Sequence, residues 1–186
     1  MRQAPLSRGL IAALPLIAAL AGCSDPEQTR PDAFGRVDGA ALGIQSFTLT
    51  LNDAATQIPF LDARLKVSCD AGEPLTGFYA FLVFENVAAL KLNAPMDATD
   101  STAPVQVAAG VTDRGCHYEG GDVVGTVTIT SFSTDTNIVE GSFNLSVTNP
   151  KTFSPGCEVR PPIGKIDVGW TGFSTTYTPS FCGLDD

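Results

Sequence analysis

His117 is the single histidine among 186 residues, so any Ser-His-acid relay or imidazole base must run through it. No serine sits in a GxSxG elbow, and His117 lies between Cys116 and Tyr118. That setting favours a structural or exposed histidine. Ser133, Asp135 and Asn137 place side-chain oxygens at i, i+2 and i+4, as a calcium loop does. The sixth position is then Ile138 instead of Gly and the twelfth is Asn144 instead of Glu, so the EF-hand pattern fails. Asp97 and Asp100 remain as carboxylates that a calcium site built from separate loops could use. HExxH, P-loop and dinucleotide GxGxxG motifs are absent, and the glycines of Gly120–Gly125 have the wrong spacing. Twenty acidic residues bring some carboxylates together in any fold, so a glycosidase-like pair is not signalled by their presence. Trp170 is the only tryptophan, which gives no sugar-stacking platform. No cofactor and no metal are expected, and the chain reads as a non-enzyme.

Thiol chemistry is the richer possibility. Of five cysteines, Cys23 stands apart near the N-terminus, while Cys69, Cys116, Cys157 and Cys182 spread through the remainder. No CxxC spacing exists, so a structural zinc site is disfavoured. Four cysteines in an exported chain read as two disulfides with three possible pairings. Short loops close most easily, which favours Cys69–Cys116 with Cys157–Cys182.

Export is read from the N-terminus. Arg2 and Arg8 flank a small-and-aliphatic run, Leu10 to Ala21, broken only by Pro15. A positive flank followed by a short apolar core is a secretory signal. The run is too short to span a bilayer, which takes roughly 20 residues. It ends in Leu20-Ala21-Gly22-Cys23, which resembles the lipobox of bacterial lipoproteins. The resemblance implies that the Cys23 thiol takes a diacylglycerol, that residues 1–22 are cut away, and that the new amino group is acylated. One acyl chain anchors marginally, at about 0.8 kcal/mol per buried CH₂, whereas two or three hold effectively permanently. Ser24 in place of Asp implies sorting to the outer membrane.

The expected organisation is a signal peptide over 1–22, a lipidated Cys and flexible tether over 23–36, and one domain over 37–186. The tether reads SDPEQTRPDAFGR, polar and with two prolines, and reaches at most about 45 Å at roughly 3.4 Å per residue. From Val37 onward the apolar period is two. Phe47, Leu49 and Leu51 alternate with polar neighbours, as do Ala63, Leu65, Val67 and Cys69, and Ile166, Val168 and Trp170. Gly125–Asn149 reads as a hairpin. Val127 and Ile129 face the core on one strand and Phe143, Leu145 and Val147 on the other, joined through Ser133–Asn137. Further strands are expected at Gly77–Glu85, Ala88–Leu92, Val105–Val111 and His117–Glu119, although Glu85–Leu92 could instead form a helical turn. The prediction is an all-β, antiparallel β-sandwich of about 8–10 short strands, stapled by disulfides. Gly125-Thr126-Val127 followed by Gly141-Ser142-Phe143 resembles a two-strand pattern in secreted bacterial β-proteins, a family that implies no activity.

Phe78–Phe84 departs from plain alternation. Phe78, Ala80, Leu82 and Phe84 point one way, and Tyr79, Phe81 and Val83 the other. A sandwich strand needs only one apolar face, so Tyr79 and Phe81 form a candidate binding face unless a loop covers them. The chain carries net charge −9, and loss of Arg2 and Arg8 makes the exported part more acidic still. Nucleic acid is thereby excluded as a partner, and anionic lipid repels the protein surface. The sequence therefore points to a lipid-anchored cell-envelope protein with a binding or structural role. An envelope-assembly lipoprotein docking a protein partner is the second reading, and a carboxylate-based hydrolase the third.

Overall fold

The computed structural model describes residues 32–41, 46–66, 77–133, 135–152, 154–157 and 161–175. Cys23, the lipobox, Cys69 and Cys182 lie outside the described residues. Among the described residues twelve strands follow in order: β1 (Asp32–Val37), β2 (Ala40–Ala41), β3 (Ser46–Asp53), β4 (Ile58–Lys66), β5 (Gly77–Phe84), β6 (Pro95–Asp97), β7 (Val105–Asp113), β8 (Cys116–Glu119), β9 (Asp122–Ser133), β10 (Ile138–Thr148), β11 (Lys151–Thr152) and β12 (Lys165–Ser174). They form two packed six-stranded sheets. Sheet I has the order β2-β1-β12-β10-β9-β6, and sheet II the order β11-β8-β7-β5-β3-β4. The all-β sandwich expected from the sequence is the observed architecture.

Alternation fixes which side of each strand faces in. Phe47, Leu49 and Leu51 of β3, Leu145 and Val147 of β10, and Ile166, Val168 and Trp170 of β12 are fully buried. Their neighbours on the same strands are polar or small, so each sheet has one face for the core and one for water. Phe47 packs edge-on to Trp170, with ring centroids 5.4 Å apart. Phe78 lies over β1 at Gly35, where any Cβ would strike its ring. The outer face of sheet I is polar around Asp167. Burial there opposes ionisation, but hydrogen bonds from Lys165 and Ser146 and the charges of Lys165 and Arg36 outweigh it, holding the carboxyl below its usual range.

Four expectations are corrected. The sheets are mostly but not wholly antiparallel, because β5 pairs in parallel with β3, Ser46 opposite Gly77 through Asp53 opposite Phe84. The expected tether over 23–36 overruns the domain. Residues 32–37 form β1 on β12, so these residues belong to the sandwich, and a segment carrying only Ala33, Phe34 and Val37 as apolar groups is held by the backbone ladder. No strand forms at Ala88–Leu92, and the alternative helical turn within Glu85–Leu92 is what is observed. Val87–Ala89 is a single 3₁₀ turn in which Ala89 N–H donates to both the carbonyl oxygen of Asn86, at 3.1 Å, and its side-chain oxygen, at 3.3 Å.

The fourth correction is the cysteine pairing. Cys116 bonds to Cys157, with Cα atoms 5.8 Å apart, not to Cys69, and Cys157 does not bond to Cys182. Sheet topology overrides loop length here. After β10 the chain crosses to sheet II and lays β11 antiparallel on β8, Lys151 opposite Glu119 and Thr152 opposite Tyr118. That direction carries it back past His117, whose backbone N–H donates to Ser154 Oγ, and delivers Cys157 beside Cys116. Doubling a loop costs only about 0.6 kcal/mol, which such a ladder readily offsets.

Candidate functional site

Two hairpins meet at one end of the sandwich, β3–β4 from sheet II and β9–β10 from sheet I. Between them opens a cleft of about 280 Å³. Phe60, Phe84, Phe132, Val87 and Val139 make its apolar walls, and Asp53, Ser133 and Asn137 add polar groups. Phe84 is the floor, 2% exposed, with Phe60 packed edge-on at 5.7 Å and Phe132 tilted at 5.3 Å.

The aromatics reach the cleft because the ladders are broken there. In β3–β4 the register passes from Leu51 opposite Leu61 to Asn52 opposite Pro59, leaving Phe60 as the extra residue of a bulge. In β9–β10 it passes from Gly141 opposite Ile129 to Glu140 opposite Ser131, leaving Thr130 unpaired. A bulge shifts the two-residue phase of a strand and re-aims the side chains beyond it. Without the second bulge Ser131 would follow Val127 and Ile129 inward. With it, Phe132 stands on the core side opposite Val139. A third break, at Gly172 with φ of +72°, lets Phe173 continue the buried row of β12. Strict alternation cannot reveal Phe60 and Phe132 as partners. The available signal was local: two phenylalanines out of phase with their strands, each within a few residues of a turn.

The rim is unusually apolar. Ile58 is 65% exposed, Val87 42% and Phe60 37%. Asp53 is committed to its own turn, since Oδ1 accepts from Ala55 N–H at 2.9 Å. Ser133 Oγ accepts from Thr136 N–H at 3.3 Å, and Asn137 takes a positive φ of 52° to close the second hairpin. The Ser133, Asp135 and Asn137 oxygens considered for calcium are thus arranged around a turn. Asp97 and Asp100 each accept from the Thr two residues on, from both N–H and Oγ, and these bonds hold both carboxyls below their usual range. Among the described residues no three His, Cys, Asp or Glu side chains converge as a metal site.

Tyr79 and Phe81 lie on the outer face of sheet II. Both are half-buried, and their rings pack edge-to-face at 5.6 Å. Tyr79 reaches across Gly110, which leaves room for the ring, and its hydroxyl donates to Glu119 Oε2 at 2.8 Å. Burial, then the hydrogen bond to Glu119 and its charge, push the phenol well above its usual pKa. The inner set Phe78, Ala80, Leu82 and Phe84 is buried, so β5 is a central strand with a partly covered second face. His117 is exposed, with Nδ1 2.8 Å from Thr112 Oγ1. Ser154 Oγ accepts from the His117 backbone N–H at 3.1 Å.

The class of protein that the fold defines is a disulfide-bonded β-sandwich with an aromatic cleft at one end. Comparisons with protein-family models, with curated proteins and with solved structures returned no match.

Proposed function

We propose that this chain is a lipid-anchored cell-envelope protein whose sandwich is a non-catalytic binding module. Cys23 is the anchor, and the cleft between the two hairpins is the binding site. The observation that carries the reading is the pair of bulges that turn Phe60 and Phe132 toward Phe84. Bulges recur beside functional sites because they re-aim side chains at some cost in pairing. Here they leave an apolar recess open to solvent, where plain alternation would have presented Ser131 in place of Phe132. A recess with apolar walls and a few polar groups suits a small apolar ligand or an alkyl chain.

A neutral fluorescent naphthylamine probe tests the site on the exported chain without its anchor cysteine, residues 24–186. The expected result is a saturable rise in emission that Phe132→Ser weakens about tenfold, roughly 1.4 kcal/mol of binding. Equal binding by the variant, or no saturable binding by either form, overturns the cleft as the site.

A further inference from the structure

The occupant of the cleft follows from where the tether joins the domain. β1 starts at Asp32 opposite Thr171, a few residues before β12 ends at Ser174, and runs away from the cleft toward Val37 opposite Ile166. Ser174 in turn pairs with Glu140, next to Val139 in the cleft wall. The first described residue, Asp32, therefore lies in the cleft half of sheet I. Between Cys23 and Asp32 the backbone can extend no more than about 30 Å at roughly 3.4 Å per residue. The same end carries the exposed side chains Ile58, Phe60 and Val87 around the cleft mouth. The opposite end carries the disulfide and two tight turns, Asp38-Gly39 and Arg114-Gly115.

We propose that the cleft end docks on the bilayer that holds the anchor. Ile58, Phe60 and Val87 sit at the boundary of headgroups and acyl chains, and the cleft opens to lipid tails. This rests on the reading of Cys23 as lipidated. The contact is driven by apolar burial, since Asp53 and Asp135 beside the mouth are repelled by anionic headgroups. Zwitterionic lipid is the favoured surface.

The test uses the full lipidated chain reconstituted in vesicles of phosphatidylcholine and its chain-brominated analogue. Ile58→Trp and Val87→Trp report the cleft end. Val124→Trp reports the outer face of β9, near the far end, where Val124 is 43% exposed and opposite Ser146. Trp170 is fully buried and supplies a constant background. A depth of about 5–10 Å brings residue 58 or 87 within reach of the bromines, so emission should fall by about half at both, and not at 124. Vesicle flotation with no more quenching at 58 and 87 than at 124 overturns the docking while leaving the anchor intact. Failure of the wild-type chain to float overturns the anchor and the docking together.

Discussion

The two ends of the sandwich are built on opposite rules. At the disulfide end the ladders run in register to their last residues, Thr148 opposite Lys165 and Asp113 opposite Cys116. The turns there are two-residue connections with positive φ at both positions, Asp38-Gly39 and Arg114-Gly115, whose twist matches the strands they join. The Asp38 carboxylate accepts from Gly164 N–H at 2.9 Å and Lys165 N–H at 2.8 Å, tying the first turn to the start of β12. At the cleft end three bulges interrupt the ladders, the hairpin tips are longer, and apolar side chains remain in water. The closed end ties its first turn to β12 through backbone donors, and the open end leaves Ile58, Val87 and Phe60 partly in water. That concentration of irregularities at one end is what the proposed binding site rests on.

The contrast breaks most sharply at Phe84, which belongs to the core and to the cleft floor at once. Phe84→Ala should cost about 3–5 kcal/mol through lost burial and the cavity left behind, read by denaturant unfolding. A loss below about 1 kcal/mol would mean that the floor is not packed as described. At the other end, replacing Cys116 and Cys157 together by Ala should cost about 2–5 kcal/mol by freeing the unfolded chain. The loss should appear without any change in probe binding at the cleft. Weakened binding in that double variant would show that the two ends are coupled.

Tyr79 lies between the ends and gives a pH signature. Its phenol is raised in the folded state, so its contribution is complete below the unfolded value near pH 10 and is lost as pH climbs above it. Tyr79→Phe should cost about 1 kcal/mol at neutral pH, discounted for partial exposure, and should flatten the stability curve above about pH 10. An unchanged alkaline limb would show that another group controls it. The smallest effect belongs to the rim. Ile58→Ser should change stability by less than about 0.5 kcal/mol, because the side chain is mostly in water already. A larger loss would place Ile58 in the core and remove it from the docking surface.

Strand positions were legible where the two-residue period is uninterrupted. Phe47 to Leu51, Phe143 to Val147 and Ile166 to Trp170 face the core as their alternation requires. Short pieces carry no period, so β2, β6 and β11 left no trace, and β11 decides the disulfide. Loop entropy favoured the wrong partners for Cys116 and Cys157 because it takes no account of a strand that returns the chain to the same edge. The cleft was hidden for a related reason. Phe60 and Phe132 are assigned to the wrong face by any reading that counts by twos through a bulge. The acidic surface and the apolar second face of β5 were readable directly, since composition and a doubled apolar pattern do not depend on register.

Docking of the cleft end depends on the proposed anchor at Cys23. The mature N-terminal peptide, isolated from the membrane fraction and weighed by mass spectrometry, tests it directly. The account predicts a peptide that begins at Cys23 and carries a diacylglyceryl thioether and an N-acyl chain, with residues 1–22 absent. A peptide that begins elsewhere, or at Cys23 with a free thiol and a free amine, would contradict it.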